Sequence, residues 1–146
     1  MGVGSIMATP TNTNERMVLE FFATLSDGNL TGLRDFLHPQ ATWTAQARSI
    51  PGAGVHEGHR GILDEFLGPV RGLFAPGDPK VLVDTIVSSG SLVMAETRGV
   101  GHLKDGRPYN NLYAWAIEIA DGKIKALREY LDSHYIMQLF PTPPLP

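Results

Sequence analysis

The stretch "ETRGVGHLKDGRPYNNLYAWAIEIADGKIKALREYLD", Glu96 to Asp132, decides the fold. Its apolar residues recur at every second position, and Asp-Gly interrupts the pattern in "KDGR" and "ADGK". Alternation marks strands with one buried face, and Asp-Gly between such runs is hairpin chemistry, because glycine accepts the positive φ of a tight turn. Together with the preceding "KVLVDTIVSSGSLVMA", it predicts an antiparallel meander with strands at residues 80–88, 91–103, 108–120 and 123–132.

Toward the amino terminus the period becomes helical. Asn12 and Glu15 have capping-box spacing, and Met17, Leu19, Phe21, Phe22 and Leu25 follow as an apolar face that "SDGN" ends. A second helix is predicted from Leu30 to Leu37, capped by Asn29 and stopped by "HPQ". "ATWTAQA", residues 41–47, reads as a strand and "SIPGAG" as a loop; Ile62, Leu63, Phe66, Leu67 and Val70 then mark a third helix. Three helices followed by a meander predict one α+β domain over residues 12–140, with the helices across one face of a curved sheet and a cavity between them. Residues 1–11 and the proline-rich 141–146 are expected to be mobile tails, with Met7 as an alternative start.

Composition narrows the partners. Twelve basic residues scattered among fifteen acidic ones, net charge −3, give no basic stripe for phosphates, so nucleic acid is not expected as a partner. No apolar stretch approaches the ~20 residues of a membrane span. Cysteine is absent, which removes thiolate chemistry and sulfur-rich zinc sites and fits a cytoplasmic location. "GVHEGHRG", residues 54–61, sets His56 and His59 three apart rather than the four of a helical zinc pair, among Gly54, Gly58 and Gly61. We therefore read it as a loop into the third helix, with no metal, and leave open whether His59 faces a pocket mouth.

The stretch from Glu96 to Asp132, with "LSDGNLTGLRDFLHPQATW" and "HEGHRGI" before it, resembles the SnoaL-like and ketosteroid-isomerase-related proteins of the nuclear transport factor two superfamily. The resemblance spans roughly residues 13–137. It implies a conical α+β barrel with an apolar pocket, commonly a homodimer, that serves cyclases, isomerases, dehydratases, epoxide hydrolases and binding proteins alike, so the chemistry must be read from the site.

The steroid-isomerase machinery is missing: its tyrosine and two aspartates match Phe21, Ala45 and Trp115. The limonene-epoxide-hydrolase pattern fits in part. "REYLD" puts Glu129 where that branch has an aspartate, and "ETR" supplies Glu96 and Arg98 in reversed order. Residues two apart on a strand share a face, so Glu96, Arg98 and Glu129 are expected to converge if Glu129 looks inward. A SnoaL-like cyclase needs only an acidic base in an apolar pocket, where desolvation raises a carboxylate's pKa and a like charge splits a pair into acid and base. Glu129, flanked on its face by Leu127 and Leu131, is the first candidate, with Glu96 and Arg98 as partners. Trp43, Asn111, Tyr113, Trp115 and Phe21 are the expected substrate contacts, and Asn111, Tyr113 and Trp115 the candidate oxyanion donors. Asp132 is expected to cap a helix beginning at "SHYIMQLF".

These residues predict a cofactor-independent acid/base enzyme for a small, mostly apolar molecule, working as a homodimer through its sheet. The alternatives are a binding protein without chemistry and a purely structural dimerisation module.

Overall fold

The computed structural model describes residues 8–140. Helix α1 (Thr13–Ser26) begins at the predicted capping box: Asn12 Oδ1 accepts from the Glu15 N–H at 2.9 Å. The Glu15 carboxylate accepts from the Thr11 N–H and hydroxyl, the Asn12 amide and the Ser88 hydroxyl, which ties the helix start to the sheet. Val18, Phe21, Phe22 and Leu25 are buried, while Met17 and Leu19 are only partly so. The 18/21/22/25 spacing centres the stripe on Val18 instead.

The predicted second helix is shorter than expected. Helix α2 (Leu30–Leu33), capped by Asn29 Oδ1 on the Gly32 N–H at 2.9 Å, tightens into a 3₁₀ turn at Arg34–Phe36. Strand β1 (Leu37–Ala45) starts at once, earlier than predicted. Pro39 hid that start, but it sits where the β1 register slips between Leu37 and Thr42, and a missing N–H is tolerated at such an irregularity.

"GVHEGHRG" differs more. Its first half is strand β2 (Gly54–Glu57), antiparallel to β1 with His56 opposite Trp43, rather than loop. An edge strand needs only one partner, which lets a glycine-dense segment pair. The third helix is a π-helical stretch, Arg60–Leu67, continued by α3 (Gly68–Arg71); Ile62, Leu63, Phe66 and Leu67 are buried, as their spacing predicts.

The meander follows: β3 (Lys80–Ser89), β4 (Leu92–His102), β5 (Pro108–Ala120) and β6 (Lys123–Leu131), each close to its predicted bounds. Asp121 and Gly122, at φ 55° and 70°, make the Asp-Gly turn that the sequence announces. Helix α4 (Ser133–Leu139) closes the chain, with the Asp132 carboxylate accepting from the Tyr135 N–H at 3.1 Å. The sheet order is β2-β1-β6-β5-β4-β3, and every pair is antiparallel except β1 with β6. Register shifts between Val83 and Thr85 and between Glu118 and Ile119 curve the sheet, as bulges do.

Four aromatic rings join helix to sheet: Phe21 to Trp43 at 6.0 Å, Phe22 to Trp115 at 5.1 Å and Trp43 to Trp115 at 5.6 Å. Of the expected tail of residues 1–11, Ala8 is tied to the sheet by its N–H on the Val83 carbonyl at 3.1 Å, and Thr11 is held by Glu15. Residues 1–7 and 141–146 of the expected tails lie outside the described residues. Among the described residues no helix is long and apolar enough to cross a membrane.

The cap at Asp132 orients α4, whose Ile136 walls the cavity described next. Asp132→Ala is expected to cost about 1 kcal/mol in urea unfolding, with the sheet's circular dichroism unchanged.

Candidate active site

Between the concave face of the sheet, the π-helical segment and α4 lies a cavity of about 120 Å³. That is well above the roughly 10–15 Å³ that admits one water. Leu25, Phe66, Leu67, Val81, Leu131 and Ile136 make most of its wall apolar, and Glu129, Tyr113, Tyr109 and Thr97 interrupt it.

Glu129 sits on β6, opposite Ala45 of β1 and Trp115 of β5, and is buried. The Trp43 Nε1–H donates to its Oε1 at 3.0 Å. Among the described residues its carboxyl has no other hydrogen bond, so Oε2 is left to the cavity. Burial pushes the pKa up from 4.5 to about 7, and the Trp43 bond offsets part of that rise. At neutral pH such a group is divided between acid and base, the condition for moving a proton in either direction.

Glu96 and Arg98 do not join it, contrary to expectation. On β4 it is Ala95, Thr97 and Gly99 that turn inward, and the intervening positions face out. Glu96 is exposed. Arg98 borders the cavity, but its guanidinium makes a two-armed pair with Asp84 at 2.8 and 2.9 Å on the exterior. An exposed pair of this kind is worth at most about 1 kcal/mol. Two-residue spacing put Glu96 and Arg98 on one face, but it was the wrong one.

The expected contacts divide. Trp43, Tyr113 and Trp115 line the cavity. Phe21 does not; it is packed behind Trp43 and against Phe36 in the core. The Trp115 indole N–H is engaged by Thr97 Oγ1 at 2.8 Å, so it offers no oxyanion donor. Asn111 is buried, accepts from the Leu112 N–H at 2.9 Å and donates through Nδ2 to the Tyr109 hydroxyl at 3.1 Å. Tyr109, not among the expected contacts, also lines the cavity, with its hydroxyl against that of Tyr113. Its even spacing from Tyr113 on one strand was the signal for a shared face. Burial raises the Tyr109 pKa to about 12 and the Tyr113 pKa well above its ordinary value, so both phenols keep their protons at neutral pH.

Neither histidine of "GVHEGHRG" faces the cavity with a free ring. His56 Nε2 bonds the Gly52 carbonyl at 2.8 Å, and its ring stacks on Phe66 at 3.9 Å. His59 Nε2 bonds the Leu37 carbonyl at 2.9 Å. A carbonyl only accepts, so Nε2 carries the proton in both.

Comparison with known proteins places this geometry. The SnoaL-like domain family matches residues 18–127. Three solved structures share the fold across nearly their whole length. TerC co-crystallised with polyporic acid is 20% identical, with a TM-score of 0.77 over 88% of this chain and 98% of that one. An NTF2-like protein of unknown function from Burkholderia pseudomallei is 17% identical, with a TM-score of 0.76 over 90% and 100%. A protein with a ketosteroid isomerase-like fold from Catenulispora acidiphila, in complex with trimethylamine, is 16% identical, with a TM-score of 0.74 over 90% and 96%. No curated protein matches the chain.

The raised pKa of Glu129 fixes a sign. Folded protein holds this proton more tightly than unfolded chain, so the stabilisation is complete below pH 4.5 and is lost as pH rises through about 7. Glu129→Gln removes the ionisation, while the Gln oxygen still accepts from Trp43. We expect the variant to match wild type in urea unfolding near pH 4.5 and to exceed it by about 3 kcal/mol at pH 8. Equal pH profiles for the two proteins would show that Glu129 ionises without a burial penalty.

Proposed function

Since the chain belongs to the SnoaL-like domain family, we propose that it is a cofactor-independent acid/base enzyme that moves a proton on a small, mostly apolar substrate, with Glu129 as the proton carrier. One observation carries the proposal: a buried carboxyl in an apolar cavity, held through one oxygen by Trp43 and with its pKa near 7. The held oxygen fixes the direction of the group, and Oε2 meets the substrate. Removal of water by the apolar wall strengthens every charge interaction with a bound molecule. Glu96 has no part in this chemistry, because its side chain is exposed on the outer face of the sheet, and the Arg98 guanidinium at the cavity border is engaged by Asp84.

A second reading has its own support. A largely apolar wall with few polar groups also suits capture of a small molecule without chemistry. The two readings separate by proton exchange. Small apolar carbon acids, beginning with acetophenone, are incubated with the protein in D₂O and deuterium uptake is followed by NMR. The enzyme reading expects uptake at the activated carbon, slowed about 100- to 10,000-fold by Glu129→Gln. Binding with no uptake above background supports the binding protein instead.

We also propose that the chain pairs with a second copy through the outer face of the sheet. Val87, Met94, Leu112 and Tyr130 are large apolar residues exposed on that face, and Val87 and Met94 are cross-strand partners. A dimer is expected in light scattering, and Leu112→Glu with Tyr130→Glu should convert it to monomer without loss of the fold.

A further inference from the structure

The segment between β1 and β2 crosses one rim of the cavity as a strap. At its start the Gln46 N–H bonds the Glu129 carbonyl at 2.8 Å and the Ala47 N–H bonds the Ala45 carbonyl at 2.9 Å; at its end Gly54 pairs with Ala45. Between these anchors Ile50 and Pro51 line the cavity. One hydrogen bond turns the strap upon itself, from the Ala53 N–H to the Ile50 carbonyl at 3.2 Å. Among the described residues a single hydrogen bond ties its middle to the rest of the protein: His56 Nε2–H donates to the Gly52 carbonyl at 2.8 Å. A carbonyl cannot donate, so the direction of this bond is fixed.

The histidine is itself held. Its ring stacks on Phe66, 3.9 Å between centroids, and Phe66 packs on Trp43 at 5.8 Å. Gly52 lies against the same stack: its φ is 81°, and a Cβ there would come within 2.7 Å of Phe66 Cε1. Only glycine accepts both the left-handed turn and the close approach. Few fastenings and little burial are what let a segment open while the rest of the fold stays closed. The strap has both, since none of residues 47–53 is buried.

On its outer side the strap faces α4 across a cleft, with Ser49 and Ile50 on one bank and Ser133 and Met137 on the other. Ile50 lines this cleft and the cavity alike, so its side chain is the partition between them. Displacement of the strap joins the two spaces.

We infer that residues 47–53 are a hinged cover over the cavity, that His56 is its latch, and that small molecules enter past Ile50 when the bond to Gly52 opens. The inference concerns access and holds whether or not Glu129 moves a proton. His56 acts through Gly52 and is a positioning residue.

The two tryptophans of the chain, Trp43 and Trp115, are buried and line the cavity, so quenching of their fluorescence by acrylamide reads the entry of a small neutral molecule. His56→Phe keeps a ring on Phe66 and removes the donor. It should raise the quenching constant about fivefold, the rise in open population that loss of one ordinary hydrogen bond allows, with circular dichroism unchanged. The chain has no cysteine, so Ser49→Cys with Met137→Cys supplies one thiol pair across the cleft for a short bis-methanethiosulfonate bridge. The bridged protein should be quenched several-fold less than its reduced form, and dithiothreitol should restore access. Equal quenching of the bridged and reduced forms overturns the inference, because entry then runs elsewhere on the rim, past the exposed Leu73. That comparison keeps His56 and decides the matter even where His56→Phe does not fold. An unchanged constant in folded His56→Phe overturns the latch.

Discussion

The hydrogen bond from the Trp43 indole to Glu129 is the contact on which the rest of the structure depends. A carboxyl buried with one donor and no counter-ion is unfavourable when ionised, by about 3 kcal/mol for a pKa near 7. That is a large share of the ~5–15 kcal/mol that keeps a domain of this size folded. The surrounding architecture offsets it. Parallel pairing of β1 with β6 brings Trp43 beside its acceptor, and Phe21 and Phe22 of α1 close over both tryptophans. Helix, sheet and carboxyl are thus one packing unit.

The polar groups of the concave face are otherwise paired with each other. Thr97 takes the Trp115 N–H, and Asn111 takes the Leu112 N–H and supports Tyr109. No buried side-chain nitrogen or oxygen among the described residues lacks a partner. Glu129 Oε2, without a hydrogen bond among the described residues, is left beside a largely apolar cavity wall.

The sequence was most informative where a local rule admits one answer. Period two with Asp-Gly turns predicted the four-strand meander, and side-chain chemistry marked the caps at Asn12, Asn29 and Asp132. Glu129 was found because its own face carries Leu127 and Leu131. Period two is silent, however, on which face is concave, and that is why Glu96 and Arg98 were assigned to the cavity. The alternation of Val93, Ala95, Thr97 and Gly99 with larger or charged neighbours held the answer. Helical spacing likewise placed Phe21 inside without its depth, which depends on Trp43 standing between it and the cavity. The pairing of β2 with β1 depends on partners distant in sequence, and no local pattern contains it.

The account turns on the ionisation of one group. A ¹³C NMR titration of the Glu129 side-chain carboxyl, assigned by the signal that disappears in Glu129→Gln, measures it directly. A midpoint near pH 7 is the predicted result. A midpoint at the ordinary value of 4.5 would contradict the account, because it would mean that the carboxylate is solvated and is not the buried acid/base group described above.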